Sequence, residues 1–383
     1  MTEILIIGGG IIGCASAYHL ARRGQRVRLI ESRNLAAMAS GWTLGGVRQS
    51  GRDPAELPLA RAAVARWQEL SNELDADTGY HRDGNLRLAR TPDEVEAIRS
   101  MVTSQRALGL TLDFLPDANA VRAIAPAIGS NVLAASFCAS DGYADPTAAT
   151  LAFASAACRH GARIEEGFRA IKLAARGERI AGAETSGGFI SADRVIVATG
   201  THSAGLLAPL GVVLPLTIMQ VQVALSTPAE HVFRQVFGVA NADCAGRQQP
   251  DGRFRYTSGI GPYPDDPEQW TAAALAPDRA AMEALRQRIG GFLPALADPA
   301  IEQRWGGLID MTPDALPVIS PVPTLPGLLI AAGFSGHGFG IAPAVGEAVA
   351  ALALDEPGPF DLSPFRLDRF IQGAAPAPMT LHG

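Results

Sequence analysis

Three glycines with the spacing Gly-x-Gly-x-x-Gly follow an apolar stretch near the start of the chain: Gly8, Gly10 and Gly13. In this spacing the first glycine permits a tight turn, the second lets a pyrophosphate approach the backbone, and the third lets a helix pack against a strand. Glu31 closes the next apolar stretch, where a carboxylate can accept hydrogen bonds from a ribose. The pattern therefore predicts a turn that binds dinucleotide phosphates at the N-terminus of a helix.

The segments around these glycines have the pattern of strands and helices that would hold a nucleotide. Residues 14–23 are a predicted helix between two apolar strands, and Gly24 ends it. The apolar stretch 195–200 is another predicted strand, whose last residues would contact the nucleotide at a second turn: Ala198, Thr199 and Gly200.

Composition excludes several classes of partner and cofactor. The formal net charge is −6, the pI is near 5.7 and no basic stripe is present, so the sequence predicts no nucleic-acid partner. The cysteines are far apart and form no C-x-x-C or Cys/His cluster, which predicts reduced thiols and no metal site: Cys14, Cys138, Cys158 and Cys244.

The two most apolar stretches do not have the pattern of targeting or membrane segments. The N-terminal stretch lacks a basic leader and a small-residue cleavage site, and is therefore predicted to be a core strand. Glycines, His337 and Pro343 interrupt the stretch 327–354, so it is not predicted to span a membrane. These features predict a cytoplasmic protein.

The length of 383 residues predicts two domains. Residues 55–75 and 93–109 have helical spacing, whereas residues 213–305 alternate between apolar and polar and contain many prolines, as an antiparallel sheet does. Since nucleotide-type segments lie at both ends, the cofactor domain is predicted to be discontinuous: residues 1–45, 140–212 and 305–383. The remaining segments are predicted to form a substrate-binding domain: residues 46–139 and 213–304.

Several motifs extend this pattern beyond a general nucleotide-binding fold. They are residues 8–13, 39–48, 141–146, 195–200, 305–307 and, as the most specific, 332–339 with 342–346. On these motifs the chain resembles FAD-dependent amine oxidoreductases of the D-amino-acid oxidase, glycine oxidase and sarcosine oxidase group. Within that group, residues 45–48 and 311–314 are most similar to β-type subunits of sarcosine, proline, hydroxyproline and opine dehydrogenases or oxidases.

The resemblance implies an α/β fold, in which a Rossmann-like FAD-binding domain of the glutathione-reductase type carries an inserted α+β substrate domain built on an antiparallel sheet. The loop 333–338 would offer backbone donors that stabilise negative charge on a reduced flavin. The residues implied to contact FAD are Gly8, Gly10, Ile11, Ile12, Gly13, Glu31, Ser32, Arg33, Ala39, Ser40, Gly41, Leu44, Gly45, Gly46, Ala170, Ala198, Thr199, Gly200, Gly307, Gly333, Phe334, Ser335, Gly336, His337, Gly338 and Phe339.

Catalytic or substrate contacts are expected from three side chains: Arg48, His337 and Tyr256. Arg48 falls, to within a one-residue gap, where the similar single-chain sarcosine oxidases keep a carboxylate-binding arginine. Arg52 and Arg255 are further candidates to line the substrate pocket. A structural salt bridge at Arg48, a structural imidazole at His337 and a solvated Arg33 remain the alternatives.

The chain departs from the family at four positions. Gly307 stands where single-chain sarcosine oxidases tether the flavin through a cysteine, so the FAD is predicted to be non-covalent. Ile309 replaces the carboxylate-binding arginine of glycine oxidase, and Gly340 replaces the carboxylate-binding lysine of sarcosine oxidase. Lys172, the only lysine of the chain, does not match the lysine that promotes the reaction with oxygen, which favours a dehydrogenase over an oxidase.

The sequence thus predicts an FAD-dependent enzyme that oxidises the C–N bond of an amino acid or secondary amine by hydride transfer to flavin N5, as a catalytic β-type subunit. A single-chain glycine or D-amino-acid oxidase that produces H2O2 is the nearest alternative. A nicotinamide-dependent dehydrogenase, a non-catalytic subunit that retains FAD, and a tRNA-modification or thiazole-biosynthesis protein are alternatives of other classes. The expected partners are a small amine substrate and, in a hetero-oligomer, subunits that carry FMN, FAD or an iron–sulfur cluster.

Overall fold

The computed structural model describes residues 3–267 and 269–370. Residues 1–2 and 371–383 of the predicted FAD-binding domain, and Glu268 of the predicted substrate domain, lie outside the described residues. In chain order the strands are β1 (Glu3–Ile7), β2 (Arg26–Glu31), β3 (Gly46–Val47), β4 (Asn85–Ala89), β5 (Asp113–Leu115), β6 (Ala134–Cys138), β7 (Gly142–Tyr143), β8 (Arg163–Glu166), β9 (Ala170–Arg176), β10 (Arg179–Thr185), β11 (Gly188–Ser191), β12 (Arg194–Val197), β13 (Thr217–Ser226), β14 (Val236–Val239), β15 (Cys244–Gln248), β16 (Phe254–Pro262), β17 (Ile301–Met311), β18 (Val318–Pro321) and β19 (Leu328–Ala332).

Three of the six described helices of eleven or more residues begin at a capping side chain. Thr91, Asp145 and Asp278 each accept a hydrogen bond from the backbone N–H three residues further on, which satisfies a donor left free in the first helical turn. In chain order the helices are α1 (Ile11–Arg22), α2 (Ala39–Trp42), α3 (Leu57–Trp67), α4 (Leu70–Glu73), α5 (Pro92–Ala107), α6 (Ala118–Ile124), α7 (Pro146–Arg159), α8 (Ser203–Leu207), α9 (Ala272–Leu275), α10 (Arg279–Gly290) and α11 (Gly338–Ala353).

The single helix predicted over 55–75 is wrong, because a turn divides it into α3 and α4. The turn brings Glu73 back onto Arg66, and their side chains form an ion pair of 2.7 Å. Leu70, at the start of α4, stays fully buried in the same core as α3. Helical periodicity continued through the turn and therefore concealed it.

A six-stranded sheet forms the nucleotide half of the molecule, in the order β18-β19-β12-β1-β2-β8. All neighbours in it are parallel except β18 and β19. Alternate residues of β1 point to opposite faces, so Ile4 and Ile6 join the core with helices α1, α7 and α11, whereas Leu5 and Ile7 pack against the small sheet β11-β10-β9. The carboxyl ends of β1, β2 and β12 therefore meet at one edge, where α/β sheets bind ligands.

An eight-stranded sheet forms the second half, in the order β17-β13-β16-β15-β14-β4-β6-β5. Its strands are antiparallel apart from the parallel pair β14 and β4. One face packs on α6 and α10 around Phe237, Tyr256 and Ile289, and the other face is turned toward the six-stranded sheet. The predicted α/β fold with an antiparallel substrate sheet is confirmed.

The predicted division of the chain into two domains stays a prediction, and one of its boundaries falls inside a strand. β17 runs without interruption through residues 304 and 305 and pairs with β13 along its length. Within the part of the chain that the structure describes, no helix is long and apolar enough to cross a membrane.

Candidate functional site

A cavity of about 970 Å³ lies between the two large sheets. It begins beside Glu31 at the end of β2, passes the glycine turn after β1, and reaches His337 at the start of α11. The residues of the predicted FAD contacts that line it are Gly8, Gly10, Ile11, Ile12, Glu31, Ser32, Arg33, Ala39, Ser40, Leu44, Gly46, Ala170, Ala198, Thr199, Gly200, Gly307, Phe334, Ser335, Gly336, His337, Gly338 and Phe339. One continuous cavity thus connects motifs that are hundreds of residues apart in the sequence.

The glycine turn is held by close backbone contacts. Gly8 has φ +114°, and a Cβ on it would lie 2.3 Å from the carbonyl oxygen of Ala198. A Cβ on Gly13 would lie 2.0 Å from the carbonyl oxygen of Gly8, so only glycine lets α1 pack this closely on β1. Gly10 faces the cavity, where Ser40 accepts a hydrogen bond of 2.9 Å from the N–H of Ile11.

Glu31 stabilises this turn as well as facing the cavity. One of its carboxylate oxygens accepts a hydrogen bond of 2.7 Å from the N–H of Gly9, and the other accepts bonds from Arg33 N–H (2.8 Å) and Ser32 Oγ (3.1 Å). The first oxygen keeps a lone pair that a ribose hydroxyl could use. The guanidinium of Arg33 stacks on Trp270 at 3.9 Å from the ring centre, which gives this exposed arginine a defined position at the cavity wall.

Four of the glycines predicted to contact FAD lie behind the cavity wall instead. A Cβ on Gly41 or Gly45 would lie 2.2 Å from a backbone carbonyl oxygen, of Ala36 and Ala144 respectively, and Gly13 packs on β1 as described. A Cβ on Gly333, which has φ +70°, would lie 2.5 Å from the Thr312 side chain. These glycines shape the segments that line the cavity, and close packing rather than ligand contact explains their residue type.

The loop before α11 is pinned so that the start of the helix faces the cavity. The buried carboxylate of Asp310 accepts a hydrogen bond of 2.6 Å from Gly333 N–H, and its carbonyl accepts one of 3.0 Å from Ser335 N–H. Burial raises the pKa of Asp310 to about 6. Gly338, Phe339 and Gly340 in the first turn of α11 line the cavity, and this turn carries backbone N–H groups and the positive end of the helix dipole.

Buried charged side chains gather beside this helix start. Arg48 and Arg52 line the cavity, and Arg52 donates a hydrogen bond of 3.3 Å to the carbonyl of His337. Glu56, which is 1% exposed, lies 3.7 Å from Arg52 Nη1 and 3.4 Å from His337 Nδ1. The structure therefore brings Arg48 and His337 together, as predicted, and adds Arg52 and Glu56.

Burial and the neighbouring charges set the protonation states in this cluster. Burial lowers the pKa of His337 to about 4, so its imidazole is neutral near pH 7 although Glu56 opposes the shift. Burial alone would raise the pKa of Glu56, but the imidazole of His337 at 3.4 Å and the guanidiniums of Arg52 and Arg48 hold it below its usual range. Burial, and after it the charges of Arg52 and Arg87, lower the pKa of Arg48 well below its ordinary value. The cluster is therefore a cationic patch with one carboxylate inside it.

Side chains from distant elements hold the loop that carries the two arginines. Asp141, completely buried, accepts hydrogen bonds from Gln49 N–H (2.9 Å), Ser50 N–H (3.2 Å) and the Ser50 hydroxyl. Gln105 of α5 accepts a bond of 2.8 Å from Gly51 N–H and donates one of 3.0 Å to the Arg52 carbonyl. We call residues 48–52 the arginine loop. Its backbone is fixed by residues far away in the sequence, so the two arginines are held in position at the cavity before a ligand binds.

Tyr256 does not reach the cavity, which corrects the expectation that it contacts the substrate. Its side chain is 1% exposed and belongs to the core on the far face of β16. Because side chains alternate along a strand, the adjacent Thr257 faces the cavity instead. Arg255 shares the face of Thr257, but its guanidinium donates to the carbonyl of Gly41 at 3.1 Å and lies over Trp305.

Sequence reasoning missed several residues that build this site. Arg52 and Glu56 are four residues apart, a spacing that allows an ion pair and could have identified them. Asp141 belongs to the motif 141–146, to which no role was assigned from the sequence. Nothing in the sequence linked Gln105 to the arginine loop. Gly307, Ile309 and Gly340 all line the cavity, as their alignment implied, and Cys244 also borders it.

Comparisons with known proteins agree with this architecture. The profile of the DAO family, described as FAD dependent oxidoreductase, matches residues 3–352. A 4-methylaminobutanoate oxidase (formaldehyde-forming) of Paenarthrobacter nicotinovorans is 26% identical over 379 residues, covering 96% of this chain and 45% of that protein. The sarcosine oxidase subunit beta of an Arthrobacter species is 27% identical over 386 residues, covering 97% of this chain and 91% of that protein.

A solved structure gives the same result. L-proline dehydrogenase from P. horikoshii superposes with a TM-score of 0.89 at 29% identity, covering 98% of this chain and 99% of that chain. Thus the chain spans less than half the length of the first relative, but nearly all of the proline dehydrogenase chain. With the glycine turn, the cavity and the family match in agreement, the chain belongs to the DAO family of FAD-dependent oxidoreductases.

Proposed function

We propose that this protein oxidises the C–N bond of an amino acid, or of a secondary amine that carries a carboxylate, and releases an imine that water hydrolyses. The observation that carries the proposal is the position of Arg48 and Arg52 in the same cavity as the glycine turn and the start of α11. FAD, when bound, accepts the hydride at flavin N5. The relatives named above act on comparable amines, which supports this substrate class.

The residues around the cavity fit FAD. Gly10 and Ile12 line the cavity at the N-terminus of α1, where their backbone would face a pyrophosphate, and Glu31 offers an acceptor to the ribose beside it. At the other end, the first turn of α11 would stabilise negative charge on a reduced flavin. Gly307 offers no thiol, which supports non-covalent binding.

Arg48 would bind the substrate carboxylate and orient the α-carbon. An arginine fork can form two parallel hydrogen bonds with a carboxylate, and this fixes direction as well as distance. Ile309 and Gly340 also line the cavity but carry no charge, so the cations available at this end are those of the arginine loop. Arg48 is the preferred candidate because it falls where the similar single-chain sarcosine oxidases keep a carboxylate-binding arginine, and its bond of 2.6 Å to the Ser50 carbonyl helps to orient it.

The same charges favour a substrate whose amine is deprotonated. Guanidinium groups near the amine raise the free energy of its ammonium form, and Glu56 is engaged with Arg52 and His337. His337, with a pKa of about 4, is a neutral hydrogen-bonding group and too weak a base to deprotonate an ammonium. The site would thus orient a neutral amine rather than remove its proton.

Dehydrogenase chemistry is the preferred form of the proposal. Lys172 lies exposed on β9, away from the cavity, and so would not stabilise superoxide next to the flavin. A partner subunit that accepts the electrons is supported by the sarcosine oxidase subunit beta among the relatives. We also propose a cytoplasmic location, which the free cysteines of the described residues support.

The test is reduction of the holoenzyme under anaerobic conditions by a panel that includes sarcosine, glycine, L-proline, D-proline and an opine, followed as bleaching near 450 nm. We expect at least one of these amines to reduce the flavin, and the reduced enzyme to react much faster with an artificial dye than with oxygen. Failure of every amine to bleach the flavin would favour a non-catalytic FAD-retaining subunit. Rapid reoxidation in air with release of H2O2 would favour the oxidase alternative.

A further inference from the structure

Five register partners stand side by side across the face of the eight-stranded sheet that is turned toward the cavity: Val223, Thr257, Ala245, Gly238 and Arg87. They belong to β13, β16, β15, β14 and β4, and directly paired residues share a face of the sheet. Val223, Thr257, Ala245 and Gly238 line the cavity. We call these four residues the sheet recess.

The sheet recess is made of small or apolar side chains. Thr257 and Ala245 occupy its centre, and Gly238 lies at the end that adjoins Arg87. The large side chains of Phe237 and Tyr256, one position away on the same strands, point into the core on the opposite face. The alternation therefore leaves space on the cavity side where bulky groups would otherwise stand.

One end of the row adjoins the arginine loop. Arg87 is the register partner of Gly238. A Cβ built on Gly51 of the arginine loop would lie 3.0 Å from Nη2 of Arg87 and 3.1 Å from Nη1 of Arg48. Neighbouring strands are about 4.8 Å apart, so Ala245 is roughly 10 Å across the sheet from Arg87. A substrate whose carboxylate meets Arg48 can therefore extend its remaining part along the recess.

The chemistry of the recess limits what that part can be. A charged group placed over Gly238 and Ala245 would lose its water and could gain at most the hydroxyl of Thr257 from the recess, and that loss is costly. An aliphatic group would gain from leaving water in proportion to its area. A substrate without such a group would leave the recess unfilled.

We infer that Gly238, Ala245 and Thr257 determine substrate specificity by receiving the substituent of the substrate, and that this substituent is an uncharged aliphatic group of several carbons. This inference rests on the proposed function, since it uses Arg48 as the carboxylate site. It favours amino acids of the size of proline or larger over glycine and sarcosine, and it disfavours substrates with a second charge on the substituent.

Binding of unreactive carboxylates to the FAD-loaded enzyme tests the inference without catalysis. Acetate, propionate, butyrate and cyclopentanecarboxylate are titrated, and the shift of the flavin absorption spectrum reports binding. We expect the affinity to rise about fourfold for each methylene from acetate to butyrate, because each buried methylene leaves water. Succinate, which carries a second charge, should bind more weakly than butyrate.

Ala245→Leu fills the recess, and Tyr256→Phe is the matched control on the adjacent residue of the paired strand, facing the opposite side. Ala245→Leu should weaken butyrate and cyclopentanecarboxylate about tenfold and change acetate by less than about twofold, as overpacking affects only the larger ligands. Tyr256→Phe should leave the whole series unchanged. If Ala245→Leu does not fold, Ala245→Gly should shift the preference toward cyclopentanecarboxylate.

Two results would overturn the inference while leaving the proposed function intact. One is an equal affinity of the unmodified enzyme for acetate and butyrate. The other is an equal loss of acetate and butyrate binding in Ala245→Leu, or an unchanged series in Ala245→Gly. If no carboxylate perturbs the flavin spectrum at all, the carboxylate site itself is absent and the proposed function fails together with the inference.

Discussion

The two ends of the cavity are built from different parts of the chain. At the nucleotide end the contacts come from the backbone, since Gly8, Gly10 and the first turn of α1 face the cavity with little side chain between. At the other end they come from buried charged side chains, with Arg48 and Arg52 close to the neutral imidazole of His337.

This difference determines how each end can fail. The glycine turn depends on contacts within a few residues of β1 and β12, and a side chain added at Gly8 or Gly13 collides with backbone that cannot move away. The arginine loop depends on partners that are 92 and 54 residues away in the sequence, Asp141 for Gln49 and Gln105 for Gly51. Damage at the first end should abolish cofactor binding, whereas damage at the second should affect the substrate alone.

Gly8→Ala should have the largest effect and should confirm the rigidity of the nucleotide end. The new Cβ would lie 2.3 Å from the Ala198 carbonyl oxygen at φ +114°. Overpacking and the unfavourable φ together should cost about 3 kcal/mol or more of the free energy of unfolding, with loss of bound FAD. Chemical denaturation and the flavin content of the purified protein measure this.

Gly261→Ala is the control for Gly8→Ala, because no atom lies within 4 Å of the added Cβ and φ is not positive. It should retain FAD and normal stability. Full flavin content in Gly8→Ala would show that the turn tolerates a side chain, and the contrast between the two ends would then be lost.

Arg48→Met should affect the substrate end alone. Loss of a charge-assisted pair should raise KM for a carboxylate substrate by a factor on the order of 10–100, while FAD affinity and melting temperature stay near those of the unmodified protein. Arg48→Lys should be intermediate, since lysine keeps the charge but not the fork. Steady-state kinetics with the best amine of the panel measure the effect. An unchanged KM would move the carboxylate site to Arg52.

Asp141→Asn should loosen the arginine loop without changing a residue that lines the cavity, and it therefore tests whether the long-range hydrogen bonds position Arg48. The amide keeps the size of the side chain but weakens the bonds to the two N–H groups of Gln49 and Ser50. We expect KM to rise about tenfold with unchanged FAD affinity, and Arg48→Met to add little in the double variant, because both changes act on one contact. Fully additive effects on KM would indicate that Asp141 acts on substrate binding independently of Arg48.

A separate effect, on the stability of the fold rather than on ligand binding, concerns pH. Burial lowers the pKa of His19 in α1 to about 3, whereas in the unfolded chain it is near 6.5. The unfolded state therefore binds the proton first, and stability falls as the pH drops from 6.5 toward 3. The contribution is about 2 kcal/mol at pH 5 from this one residue.

Denaturation of apoprotein at pH 7 and pH 5 measures this contribution. His19→Asn should reduce the loss of stability between the two values. His337, beside the cavity, contributes to the pH dependence in the same direction, since burial lowers its pKa to about 4. An identical pH dependence in His19→Asn and in the unmodified protein would contradict the buried neutral state.

The sequence by itself determined the glycine turn and the elements around it. β1, the turn at Gly8, α1 and β2 are adjacent along the chain, so residue type and spacing were sufficient to predict them. The loop before α11 was identified through its family motif. Two of its glycines, Gly333 and Gly336, have a positive φ that other residues rarely adopt. Arg48 was identified through its family position rather than through any local pattern.

Only the tertiary structure decided which side chains meet at the substrate end. Asp141 and Gln105 reach the arginine loop through long-range hydrogen bonds that leave no periodic trace in the sequence. Tyr256 and Thr257 are neighbours in the sequence, but the register of β16 sends one into the core and the other to the cavity. A step of one residue along the strand therefore moves a side chain from the core to the cavity. Strand pairing, not residue type, decides which side each residue faces.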